Sequence, residues 1–325
     1  MQNLPIVIAH RGASGYRPEH TLAAYELAIN MGADFIEPDL VITKDGVLIA
    51  RHENEISETT NVASHLEFSN RRTTKLIDGE FKSGWFSEDF TLAEIKRLRA
   101  KERIPKIRPH NINYDGLYEI PTLQEIIDLV QRKIVETKRT IGIYPETKHP
   151  TYFRYLDLAL EEKLLEVLSA NGYKGKNAPV FIQSFEVGNL EYLSAKTDLP
   201  LVQLINDKGQ PYDFLLQGDE RKYIDLVDLA GLKQIANYAQ AIGINKNLLV
   251  PQDASRKLLP PTNLVENAHL AGLLIHVWTF RNEDNFLPLN FQGNPQAEYQ
   301  LFFDLGIDGI FSDYPDLAVK VLQGN

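Results

Sequence analysis

The chain has 325 residues, 43% of them hydrophobic, a mean hydropathy of −0.25 and a net charge of −10 from 34 Lys and Arg against 44 Asp and Glu. That is apolar material for one large or two ordinary globular domains; it excludes extensive disorder, and the acidic balance argues against a broad nucleic-acid surface while allowing a local pocket for one anion. The lack of cysteine excludes disulfides, thiolate catalysis and thiolate metal sites, and no apolar run is long enough to be an integral membrane segment.

The start, Met1-Gln2-Asn3-Leu4-Pro5, carries neither a basic region nor a cleavable apolar stretch. The expected location is the cytoplasm if Met1 is native, and the periplasm or another extracytoplasmic space if a signal peptide was trimmed. No feature bears on oligomeric state.

In chain order, an apolar run predicts a strand over 4–9, followed by a helix near 21–31 and a strand over 33–40. A hairpin around Lys44-Asp45-Gly46 feeds the run 47–52. Alternation then stops, and residues of about 54–120 are expected to form a small insertion at the mouth of the fold. Within it, Thr91-Leu92-Ala93-Glu94 is a capping-box start for a helix through Arg99, and Thr122-Leu123-Gln124-Glu125 opens another just beyond it. Further strands are predicted at 139–146, 179–185, 199–205, 246–250, 273–280 and 307–312, separated by helices near 153–171, 186–197, 231–242, 261–271, 296–305 and 314–323. Eight strands, each followed by a helix or a helix-bearing connection, predict an α/β fold, a closed (β/α)8 TIM barrel over 1–325; no glycine-rich dinucleotide fingerprint follows the first strand.

In such a barrel the active site lies at the C-terminal ends of the strands, and reactive side chains collect there. Strand one ends in His10-Arg11, strand two in Glu37-Pro38-Asp39, the following hairpin in His52 and strand three in Glu146-Thr147-Lys148. Residues i and i+2 share a strand face, so Glu37 projects with Asp39, and Glu146 with Lys148. Three carboxylates without thiolates favour a hard divalent ion, Ca2+ or Mg2+, with coordination positions left for substrate oxygens. Taken singly, His10 passes as a core histidine, Glu37 and Asp39 as solvated strand-end acids, and Glu146 with Lys148 as a surface ion pair. Their convergence on one rim argues for a site, and the two histidines beside a metal argue for hydrolysis. His20, His65, His110, His149, His269 and His276 lack a comparable setting and are mostly read as structural.

The chain resembles the glycerophosphodiester phosphodiesterase family, and most of all its larger bacterial, GlpQ-like branch. The resemblance rests on the runs His10-Arg11-Gly12 to Thr21, Gly32 to Leu40 with Glu37-Pro38-Asp39, and Thr43-Lys44-Asp45-Gly46 leading to His52. Gly142 to Lys148, Gln183-Ser184-Phe185 and Gly306 to Pro315 continue it in order. It implies that Glu37, Asp39 and Glu146 bind one divalent cation, Ca2+ in the first instance with Mg2+ as the alternative. It further implies that His10 and His52 are the acid–base pair, that Arg11 and Lys148 hold the phosphate, that Gln183 lines the pocket and that Trp278 lies near the glycerol region. The substrates would be small glycerophosphodiesters such as glycerophosphocholine and glycerophosphoethanolamine, split to sn-glycerol 3-phosphate and an alcohol.

One stretch departs from the pattern. The family often carries Asp after the second histidine and an Arg-Thr-Thr run beyond it, whereas this chain reads His52-Glu53 and then Glu58-Thr59-Thr60, which puts headgroup preference in question. Two alternatives accompany the main reading. A lysophospholipase D or sphingomyelinase D-like phosphodiesterase would need a large apolar mouth, and a barrel that only binds glycerol phosphates would have no need of the histidine pair.

Overall fold

Residues 7–9 are apolar and wholly buried, as a strand flanked by two parallel neighbours requires. The computed structural model, which describes residues 4–324, builds that run into β1 (Ile6–His10). It is followed by β2 (Phe35–Glu37), β3 (Asp39–Ile42), β4 (Leu48–Ala50), β5 (Thr73–Ile77), β6 (Glu80–Gly84), β7 (Gly142–Ile143), β8 (Glu146–Thr147), β9 (Ile182–Ser184), β10 (Leu201–Ile205), β11 (Ala241–Asn245), β12 (Leu274–Phe280) and β13 (Gly309–Ser312).

Two staves of the barrel are interrupted near a proline, which has no N–H for the ladder: Pro38 separates β2 from β3, and Tyr144-Pro145 separates β7 from β8. Counting each broken pair as one stave, parallel ladders join β1 to β2, β2 to β7 and β3 to β8, then run from β8 through β9, β10, β11, β12 and β13 back to β1. The eight staves therefore close as the alternation predicts. β4 pairs antiparallel with β3 as the expected hairpin.

Packing overrides local pattern at the sixth stave. The strand predicted at 246–250 is a helical turn, Lys246–Leu249, capped by Asn245 Oδ1 accepting from the Asn247 N–H at 3.0 Å, and the strand lies earlier, at β11. Gly243 makes 241–245 look like a poor strand, but a Cβ there would stand 2.6 Å from Leu204 Cδ2 on β10, so only glycine leaves that leucine its place. The helix predicted over 231–242 correspondingly spans Leu229–Ile235. The helix predicted from 153 to 171 is two, Pro150–Tyr155 and Leu160–Ala170, with Asp157 between them at φ +56°. Both capping boxes form; Thr122 opens the helix Leu123–Thr137, whereas Thr91 opens a single turn, Leu92–Ile95, shorter than expected.

Residues 54–120 carry the separate hairpin β5–β6 and short 3-10 turns around Phe68, Trp85 and Phe90. The Trp85 indole donates to the Phe68 carbonyl at 2.7 Å, and the Phe68 and Phe90 rings meet edge to face. Inside the barrel a compact floor is made by Ile8, Tyr144, Val202, Ala241 and Phe311, with Phe35 and Phe181 packed against it.

Candidate active site

Alternation along each stave places the residue two beyond a floor residue at the C-terminal mouth. His10 follows Ile8 in this way, Glu37 follows Phe35, Glu146 follows Tyr144, Gln183 follows Phe181 and Asp313 follows Phe311. A cavity of about 290 Å³ opens there, lined by His10, Arg11, Glu37, Asp39, His52, Glu146, Gln183 and Trp278 together with the cations Lys246 and Arg281 and neutral side chains of the later staves. Of the predicted site residues only Lys148 falls outside this lining; it borders an adjoining cavity that shares Glu146.

The sheet register brings the acids together, since Asp39 pairs directly with Glu146, His10 with Glu37, and Glu146 with Gln183. Glu37, Asp39 and Glu146 are all buried and offer oxygens within 4.8 Å of one another. Burial and the neighbouring Asp39 and Glu146 charges push the Glu37 carboxyl well above its usual range. Burial likewise lifts Glu146, to about 8, against the opposing charge of Lys148. For Asp39, burial is outweighed by Lys148, His52 and His20, and its carboxyl is held low. A trio of buried, mutually repelling hard oxygen donors fits a divalent cation of the Ca2+ or Mg2+ type. Gln183 donates to Glu37 Oε1 at 2.9 Å while its own Oε1 is buried and has no partner among the described residues.

Arg11 sits in a left-handed turn, φ +58°, followed by Gly12 at +85°, where a Cβ would lie 2.7 Å from the Ala24 backbone. The turn aims the Arg11 N–H at Glu37 Oε2, 2.9 Å away, and its guanidinium between Glu19 and Asp39, at 3.1 and 3.3 Å. Lys148 Nζ lies 2.8 Å from Glu146 and 3.4 Å from His52 Nε2. Burial alone would lower Lys148, but Glu146 and Asp39 more than reverse it. An ammonium has only donors, so its contact with His52 requires a bare Nε2. Burial, with Arg11 and Lys148 adding to it, accordingly pushes His52 down to about 3. His10 is lowered by burial and by Arg11, with Asp313 opposing. Trp278 donates its indole N–H to the Gly243 carbonyl at 2.9 Å, which leaves the ring face, not a donor, to the cavity.

Several contributors were not singled out in the sequence. His20, inside the first motif, bonds Asp39 Oδ2 at 2.8 Å and the Tyr25 hydroxyl at 2.7 Å, and so orients one of the carboxylates. Asp313, inside the last motif, holds His10 Nδ1 at 2.6 Å. Strand position could have found Asp313, which directly follows β13, but not His20, which lies in the loop between β1 and the first helix. Asn245, Lys246 and Asn247 line the cavity because β11 ends at Asn245; a strand at 246–250 hid them by putting them at a stave's start. Arg103 and Arg108 border the site from the irregular segment, where no periodic signal exists.

Comparisons with known proteins agree with this fold. The family model for the glycerophosphoryl diester phosphodiesterase family matches residues 10–317. The chain is 39% identical over 323 residues to the Arabidopsis thaliana glycerophosphodiester phosphodiesterase GDPD6, covering 95% of this chain and 84% of that one. It is 32% identical to the Bacillus subtilis glycerophosphodiester phosphodiesterase, covering 98% and 87%. Among solved structures, an Oleispira antarctica phosphodiesterase in complex with the product sn-glycerol-3-phosphate superposes with a TM-score of 0.66 at 20% identity, over 98% of this chain and 97% of that one. With a family match running from the histidine that ends β1 to the helix after β13, and with relatives covering nearly its whole length, this chain belongs to the glycerophosphoryl diester phosphodiesterase family.

Proposed function

We propose that the protein hydrolyses small glycerophosphodiesters, such as glycerophosphocholine and glycerophosphoethanolamine, to sn-glycerol 3-phosphate and the free alcohol. Glu37, Asp39 and Glu146 hold one divalent cation, Ca2+ with Mg2+ as the alternative, and His10 and His52 move the protons. The observation that carries this reading is that both imidazoles border the same cavity as the buried carboxylate trio, each with Nδ1 tied to a carboxylate. The cavity, about 290 Å³, is of a size for a short diester. The Oleispira antarctica structure holds sn-glycerol-3-phosphate, the product expected here.

A bound divalent cation supplies charge neutralisation and Lewis-acid polarisation of a phosphoryl oxygen. The chain's own groups do the rest. Arg11, fixed by Glu19 and Asp39, keeps a guanidinium beside the phosphate, and Lys148 brings an ammonium from the Glu146 side. One histidine takes the nucleophile's proton, from water or from the neighbouring glycerol hydroxyl, while the other protonates the departing alkoxide.

Purified protein with Ca2+ is expected to release glycerol 3-phosphate from glycerophosphocholine, and chelation to stop it. His10→Ala and His52→Ala should each lower kcat by about 10²–10⁴-fold. Full turnover by either variant, or turnover untouched by chelation, would overturn the reading.

A further inference from the structure

The irregular segment reaches the site through one loop, residues 101–111, which delivers two arginines. Arg103 Nη2 lies 2.7 Å from Glu53 Oε2, and the same carboxylate is bonded to His52 Nδ1. Arg108 Nη2 lies 2.5 Å from Asp313 Oδ2, and Asp313 Oδ1 is 2.6 Å from His10 Nδ1. Each arginine grips a second carboxylate as well, Glu19 at 2.6 Å for Arg103 and Glu283 at 2.6 Å for Arg108, so neither guanidinium is free to swing. We propose that this loop positions both histidines through two parallel relays, Arg103–Glu53–His52 and Arg108–Asp313–His10, and that Arg103 and Arg108 are positioning residues for the reaction. The proposal rests on His10 and His52 being the proton-transfer pair.

A carboxylate on Nδ1 fixes that nitrogen as the N–H and turns Nε2 toward the cavity. In the displacement, the P–O bond to the leaving alcohol breaks as the bond from the nucleophile oxygen forms. One imidazole gains the nucleophile's proton and becomes cationic, while the other gives its proton to the alkoxide and becomes neutral. A carboxylate held ionised by arginine, through two bonds from Arg103 at Glu53 and through one bond from Arg108 at Asp313, which Arg281 Nε also meets at 3.0 Å, supports the cationic form of each histidine without competing for its Nε2. Loop anchoring alone does not call for this arrangement, because the loop has a separate bond to the barrel and closes on itself. Asn111 Nδ2 donates to the Ser14 carbonyl at 3.1 Å, and Glu102 closes the loop on Asn111 Nδ2 at 2.8 Å and the Ile104 N–H at 2.9 Å.

The test compares two substrates on the full-length protein with Ca2+: glycerophosphocholine, whose alkoxide must be protonated, and glycerophospho-p-nitrophenol, whose phenolate departs without a proton. Arg103→Gln and Arg108→Gln are each expected to lower kcat on glycerophosphocholine by about 10–100-fold with KM changed by no more than about threefold. On the nitrophenyl ester, the variant whose relay serves the proton-donating histidine should recover to near wild type, and the other should not. Equal losses on both substrates in both variants, or an unchanged kcat, overturn the proposal. Should removing an arginine unseat the loop, Glu53→Gln and Asp313→Asn break the same relays at their inner member and must give the same split. Fully active His10→Ala and His52→Ala variants would sink the proton-transfer pair itself. Inactive histidine variants beside unaffected arginine and carboxylate variants would sink only the relays.

Discussion

The floor and the mouth of the barrel interior are built by the same staves, one alternation apart, and are chemically opposite. The floor packs Ile8, Phe35, Tyr144, Phe181 and Phe311 around His276, whose Nδ1 meets the Tyr144 hydroxyl at 2.6 Å. About 7 Å along each stave, the mouth gathers His10, Glu37, Glu146 and Gln183, with charged groups repelling one another at distances a stable core would avoid. Every apolar ring in the floor contributes to stability, whereas the mouth holds its carboxylates close at a cost to stability, and the dry floor beneath strengthens each charge interaction above it.

Substitutions in the two layers should therefore act on different observables. The largest effect is expected from Glu37→Gln, which should lower turnover of glycerophosphocholine by about 10²-fold or more while raising the melting temperature of the metal-free protein. The new amide relieves the repulsion and can donate to the unpartnered Gln183 Oε1 once that side chain flips. A fall in both activity and metal-free stability would break the contrast. In the floor, Tyr144→Ala should remove about 3–5 kcal/mol of unfolding free energy by urea titration; a loss under about 1 kcal/mol would mean the floor is not the stabilising layer.

The contrast can also be sharpened by pH. Burial pushes His276 down to about 4, with Asp308 opposing, while an unfolded histidine titrates near 6.5. Between those values the unfolded chain binds the extra proton. The stabilising contribution is therefore complete above about pH 6.5, shrinks as pH falls, and is lost on passing about pH 4, on the order of 3 kcal/mol in all. His276→Gln keeps an acceptor for Tyr144 and should flatten the decline of stability over that range. An unchanged slope would show that acid sensitivity lies with the mouth.

The mouth was more legible than its supports. Glu37, Asp39 and Glu146 stood out because each ends an apolar run and strand alternation is a local property. Lys148 also follows from it, and it does reach Glu146, but with Glu186 it lines a neighbouring cavity that no local pattern announces. Asn245 and Lys246 were obscured when Gly243 made the true stave look weak, a glycine explained only by Leu204 across the ladder. Arg103 and Arg108 carry no signal at all, since their partners lie 50 and 205 residues away.

The sequence by itself determined the alternation of strands and helices, both capping boxes, and the residue types that each stave presents at its C-terminal end. These follow from backbone dihedrals and side-chain period, which a few neighbouring residues set. Only the tertiary structure decided which carboxylates meet, where the sixth stave begins, and which arginine holds which histidine's partner. Those choices are made by ring closure and by packing between residues far apart in the chain, and no local preference encodes them.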